Sequence, residues 1–184
     1  MVLLLFTLIG GGAWIYFAVQ YELNEEDEKK QEVREAVARG EYENPIINEE
    51  SEVAPEDWRS IYPVTYPMLV GGVEVQASVA DSLSTRIKGL SGTPFLPPNV
   101  VKLFAFGSAG PQSIWMKDMN YPIDIIWAAK DGEIVHIEEN VTPDSYPESF
   151  YSPTPAWYVV EASVGFVSSN TIAVGDKIVL PTAQ

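Results

Sequence analysis

Between Ile61 and Gln184 the chain is written in short β-branched and aromatic runs, each broken within a few residues by Gly, Pro, Asn or Asp. This texture reads as strands joined by tight turns. Val73-Glu74-Val75-Gln76-Ala77-Ser78-Val79 alternates as a half-buried strand should, and Gly71-Gly72 before it suits a hairpin turn from a strand near Tyr66–Val70. Asp81 or Ser82 is placed to cap a short helix running to about Lys88, with Gly89 ending it. Val100–Phe106 reads as a strand. Ile123–Ala129 and Glu133–Glu138 flank Asp131-Gly132, a strong hairpin signal, and Tyr158–Ser163 and Lys177–Leu180 read as late strands. About seven short strands and one short helix predict a mainly β domain over 61–184, a compact antiparallel β-sandwich or barrel.

Two zones of different composition precede it. Met1–Tyr21 carries no charged side chain, and its apolar runs Val2–Ile9 and Ala13–Val19 are separated by Gly10, Gly11 and Gly12. About 20 such residues at ~1.5 Å each span the ~30 Å hydrocarbon layer, so 1–21 is expected to be a single-pass transmembrane helix. A cleaved signal peptide is the rival, and the positive side chains that normally open one are missing. Residues 22–60 hold 14 acidic and 5 basic side chains. Glu25–Lys29, Glu26–Lys30 and Glu35–Arg39 are i,i+4 pairs, so the first half is expected to be helical. Pro45, Pro55 and the acidic cluster around them suggest a solvated linker.

The net charge of −15 repels phosphate backbones and argues against a nucleic-acid partner. The chain has no cysteine and one histidine, His136, which excludes disulfides, thiolate nucleophiles and a His/Cys metal centre. No cofactor motif is visible: there is no phosphate-cradling glycine loop and no Gly-x-Ser-x-Gly elbow. Asp131, Glu138, Glu139, Asp144 and Glu148 lack the spacing of a calcium loop and read as a solvated face, so no metal is expected.

Arg86-x-x-Gly89-Leu90-Ser91-Gly92, Leu103-Phe104-x-Phe106, Trp115-Met116-Lys117 and Pro122-Ile123-Asp124 together resemble the uncharacterised domain family DUF192. Tyr151-Ser152, Ala156, Tyr158-Val159-Val160-Glu161, Gly165 and Gly175-Asp176 fit the same pattern. The resemblance runs from about Val73 to Leu180. It implies a compact, mostly antiparallel β-domain, often exported or membrane-tethered, and brings no activity with it. The chain departs from the pattern at Thr93, Val101-Lys102 and Asp118-Met119.

Three groups of residues are candidates for function. Trp115, Met116, Lys117 and Asp118 lie between strands on a loop, and read either as a loop whose Trp115 and Met116 plug one end of the barrel or as a recognition lip that binds a ligand. Asp124 in Ile123-Asp124-Ile125-Ile126-Trp127 and Glu161 after Val159-Val160 are carboxylates in apolar strands, costly to bury unpaired. Arg86 is the expected partner, bridging both in a structural ion pair. Alternatively, Asp124 and Glu161 form a catalytic dyad of a hydrolase acting on an extracytoplasmic glycan, with Lys117 orienting substrate.

The expectation is a membrane protein whose domain lies outside the cytoplasm and binds an envelope glycan or a protein partner without catalysis. The extracytoplasmic placement follows the resemblance and runs against the mild bias of Lys29, Lys30, Arg34 and Arg39. A scaffold subunit of a membrane complex is a further alternative.

Overall fold

The computed structural model describes residues 58–181 and Arg39. The expected anchor lies outside the described residues, as does nearly all of the acidic linker. Among the described residues no helix is long and apolar enough to cross a membrane.

The chain enters through a single helical turn, α1 (Trp58–Ile61), and forms the hairpin β1 (Tyr66–Val70) and β2 (Val73–Ala80). Its turn is the expected Gly71-Gly72, both at positive φ. The helix α2 (Leu83–Lys88) follows, capped by Ser82, whose side chain accepts from the Thr85 amide, and ended by Gly89. Next come β3 (Val100–Gly110), β4 (Ser113–Trp115), β5 (Ile123–Ala128) and β6 (Ile134–Val141). A 3-10 turn at Pro143–Ser145, β7 (Ser149–Tyr151), β8 (Ala156–Ser163), α3 (Phe166–Ser169) and β9 (Ile178–Val179) complete the domain.

Seven strands form one sheet in the order β6-β5-β8-β3-β2-β1-β9, and β4 pairs with β7 in a separate ribbon. The sheet is mainly but not wholly antiparallel. β2 and β3 run parallel, because α2 and the segment after it carry the chain back to the starting end before β3 begins. The described residues also hold three short α-helices where one was expected. The sheet is curled into a half-barrel whose edges meet at one end. Ile134 donates to the Asp176 carbonyl at 2.8 Å, Gly175 to Ile134 at 2.9 Å and Ile178 to Gly132 at 2.8 Å. Gly132 is required there: at φ 86°, an added Cβ would lie 2.3 Å from the Ile178 carbonyl oxygen.

Both faces of the curled sheet are covered. The inner core draws on every strand of the sheet, including Met68, Val75, Leu103, Ile126, Ile134, Val160 and Ile178, and is plugged by Phe166, Val167 and Ile172. The outer core sets Val100, Phe104, Ile125, Trp127 and Val159 under α1, the segment after α2, and the β4–β7 ribbon. Every residue of β5 is therefore buried, whichever way it points. A polar side chain on this strand, or on β3 and β8 beside it, must find its partner inside the protein.

Candidate functional site: a buried polar row beneath α2

On the outer face, three polar side chains stand in a row across adjacent strands. Ser78 on β2 is opposite Lys102 on β3, and Lys102 is opposite Glu161 on β8. The next residue in register, on β5, is Ile125. Lys102 donates from Nζ to Ser78 Oγ at 3.1 Å. Glu161 is 4% exposed, and its Oε2 is buried with no hydrogen-bond partner. Burial pushes the Glu161 carboxyl up to about 8, with the Lys102 charge opposing. Lys102 is shifted downward, first by burial and also by the Lys88 charge, while Glu161 pulls it back.

The last residues of α2 lie over this row and divide the space above it. On one side is a narrow notch of about 40 Å³, reached by Glu161, Phe104, Trp115 and Arg86. It has room for one or two water-sized groups. On the other side is a cleft of about 490 Å³, reached by Lys102, Ser78, Tyr62, Tyr66 and Thr93. Lys88 and Gly89 line both. At Gly89, where φ is 50°, a Cβ would come within 3.2 Å of the Phe104 ring, so the turn sits directly on the sheet.

The other expected site residues are dispersed. Asp124 and Glu161 are not a dyad. Asp124 is opposite Ala162 while Glu161 is opposite Ile125, so the two carboxylates project from opposite faces of the sheet. Asp124 points toward the inner core and is fully buried. Its Oδ1 accepts from the Asn140 amide and its Oδ2 from the Val167 amide, each at 3.0 Å. The β5–β6 pairing slips between Ile123 and Ile125, and Asn140 takes a left-handed φ of 55°. Asp124 thus takes the amide of the bulged residue and one from the first turn of α3. Burial pushes its carboxyl up, and backbone donation from Asn140, Val167, Gly165 and Phe166 opposes this. The side chain is architectural.

The expected three-way ion pair is also corrected. Arg86 Nη1 donates to the backbone carbonyls of Asp81 at 2.6 Å and Ala105 at 2.9 Å. Its guanidinium lies 5.4 Å from the Phe106 ring centre. It pins α2 to β3 and shares the notch with Glu161, but no ion pair joins it to either carboxylate. Five fixed donors serve two backbone acceptors as readily as a carboxylate, and a list of charges cannot show that those carbonyls are nearer.

The four-residue lip divides as well. Trp115 is 46% exposed at the mouth of the notch, edge-on to Tyr146 at 6.4 Å. Met116 is core. Lys117 and Asp118 are exposed and hold the segment after α2 through their carbonyls, which accept from Ser91 Oγ at 2.7 Å and the Gly92 amide at 2.8 Å. His136 bonds Glu138 at 2.9 Å and packs on Trp127.

Lys102 is the site residue absent from the sequence expectations, where Val101-Lys102 stands only as a departure from the family pattern. A signal was present: a lysine within Val100-Val101-Lys102-Leu103-Phe104 is as anomalous in an apolar strand as Asp124 or Glu161.

The family model DUF192, described as an uncharacterized ACR, matches residues 68–180. No curated protein matches the chain. Among solved structures, it is similar to a Sinorhizobium meliloti 1021 protein provisionally described as a transcription regulator. The two share 29% identity with a TM-score of 0.58, over 63% of this chain and 95% of the other. It is also similar to a protein of unknown function from Novosphingobium aromaticivorans DSM 12444. That match has 24% identity and a TM-score of 0.59, over 63% of this chain and 85% of the other.

Proposed function

The chain belongs to the DUF192 family, and from that premise we propose that it is a non-enzymatic binding module, held outside the cytoplasm on an N-terminal membrane anchor. It takes a small polar group of an envelope glycan or protein beneath the end of α2. The observation that carries the binding reading is Glu161. A carboxyl group buried in an apolar face with an oxygen left unpartnered costs about 1–3 kcal/mol unless something occupies the space beside it. That space is the notch, with Trp115 exposed at its mouth. The uncharged Met1–Tyr21 run and the acidic stretch after it support the anchor and a spacer.

Hydrolysis by paired carboxylates draws no support from this site, where Glu161 stands without Asp124. The regulator description of the Sinorhizobium protein is not extended to this chain, whose −15 charge opposes contact with nucleic acid.

Two measurements on the full chain test the proposal. In the first, the protein should float with membranes and be cut by protease added from outside. Recovery in the soluble fraction, or protection from that protease, overturns the anchored placement. In the second, ¹⁵N-labelled protein is titrated with a panel of monosaccharides, amino acids and dipeptides. A ligand should shift the Gly89 and Glu161 amides and the Trp115 indole saturably and be recovered unchanged. A panel that leaves all three signals unmoved, or a compound that is turned over, overturns the binding reading.

A further inference from the structure

The cleft on the other side of Gly89 has a chemistry of its own. It is lined by two lysines from different elements, Lys88 at the end of α2 and Lys102 on β3. Their charges oppose each other, since Lys88 helps to hold the Lys102 ammonium below its ordinary value. Among the described residues neither lysine makes an ion pair with a carboxylate, and Glu161, beside Lys102 in the row, acts on it only as a neighbouring charge. Lys102 spends one donor on Ser78 and retains two. Asp81, the one carboxylate in the lining, is exposed at the rim. In a chain of net charge −15 this is a local inversion of sign. Ser78, Thr85 and Thr93 add hydroxyls, while Tyr62, Tyr66 and Val64 supply an apolar wall. A volume of about 490 Å³ lies within the usual range for small-ligand sites.

We infer that this cleft is an oxyanion-binding site, in which the carboxylate or phosphate group of a small molecule lies between Lys88 and Lys102 and its ring or aliphatic body lies against Tyr62 and Tyr66. An oxyanion removes the repulsion between the two ammonium groups and accepts their free donors in charge-assisted hydrogen bonds. A neutral ligand does neither, and a cation is repelled. The inference rests on the binding-module reading and names the ligand class for the larger of the two openings.

The test uses the full chain and three probes of one shape: benzoate, phenyl phosphate and neutral benzamide. Benzoate or phenyl phosphate should shift the Ser78, Gly89 and Lys102 amides saturably and raise the pH at which the Lys102 ammonium titrates, followed by its side-chain ¹⁵N signal. Benzamide should bind at least tenfold more weakly. Tighter benzoate marks a carboxylate site and tighter phenyl phosphate a phosphate site. Lys102→Met and Lys88→Gln should each weaken the anion about tenfold or more, whereas Lys130→Gln, outside the cleft, should not. Lys88 is exposed, so its replacement keeps the test valid if Lys102→Met fails to fold. Equal affinity for benzamide, unchanged affinity in Lys88→Gln, or no shift from either anion overturns the assignment. If the sugar and peptide panel still moves Glu161 and Trp115, that failure is confined to the oxyanion site and the module reading stands.

Discussion

Asp124 and Glu161 lie on neighbouring strands, one residue apart in register, and both are buried. They differ in the face they point to and therefore in what surrounds them. Asp124 faces inward, at a slip in the strand pairing and beside the first turn of α3, where two backbone amides donate to it. Glu161 faces outward into the notch between α2's last residues and β4, with a lysine along the row and an oxygen that nothing bonds. Burial alone does not distinguish a structural carboxylate from a functional one. The distinction is whether the fold supplies donors for every oxygen.

The largest expected effect follows from the satisfied member. Asp124→Ala leaves the buried Val167 amide and the part-buried Asn140 amide without the Asp124 acceptor and removes the tie between β5, the β6 bulge and α3. Its cost is expected to be on the order of 3–5 kcal/mol, read from chemical denaturation, with ligand binding lost only in proportion to unfolding. A variant as stable as the parent would mean that those amides are served by something else, and the contrast would collapse.

Glu161→Gln is expected to act in the opposite direction. In the folded chain the Glu161 carboxyl holds its proton up to about pH 8, whereas the free group loses it near 4.5. Between these limits the native state binds more protons than the unfolded state, so this group makes stability fall as pH rises, flat below the window and above it. Glutamine carries no such proton. The variant should lose the slope and, at pH 8 and above, exceed the parent by on the order of 3 kcal/mol. Melting temperatures between pH 5 and 9 check this. A parallel pair of pH curves would show that Glu161 is not held protonated.

The same contrast accounts for how much the sequence disclosed. The β1–β2 hairpin, α2 with its Ser82 and Gly89 ends, and the β5–β6 pair around Asp131-Gly132 were legible because local signals fix them. So was the burial of both carboxylates, visible as acids inside apolar runs. Their partners were not legible. That Asp124 faces amides follows from a bulge and from a four-residue helix with no pattern of its own. That Glu161 faces Lys102 follows from β8 lying beside β3, a pairing between segments nearly sixty residues apart. Arg86 was the favoured partner on charge chemistry, and backbone carbonyls took it instead. The three-residue strands β4 and β7, which make the wall carrying Trp115, are too short to alternate visibly.

A smaller effect should come from Lys102→Met. It removes the one charge that opposes the rise of the Glu161 carboxyl, so the falling limb of stability, unchanged where it begins, should move its upper end to higher pH than in the parent. Loss of the Ser78 hydrogen bond and relief of a desolvated ammonium act in opposite directions, and the net change at pH 7 should stay within about 1 kcal/mol. A limb that does not move would mean that Lys102 and Glu161 do not sense each other, and that the row is three independent side chains.

The smallest effect is expected at a third carboxylate, Asp131, which meets Lys177 at 2.7 Å where the edges of the sheet join. Both side chains are more than half exposed. The hydrogen bond from Lys177, followed by the Glu133 amide, holds the Asp131 carboxyl below its ordinary value. Any stability it lends is therefore present above that ordinary value and is lost as pH falls through the lowered one, the reverse of Glu161. Water screens the pair, and the junction is already held by three backbone hydrogen bonds and by the clearance at Gly132. Asp131→Asn should leave the melting temperature at pH 7 unchanged within error. A clear drop would place the strength of that junction in its surface charges, and the distinction between exposed and enclosed carboxylates would then need a term for sheet closure.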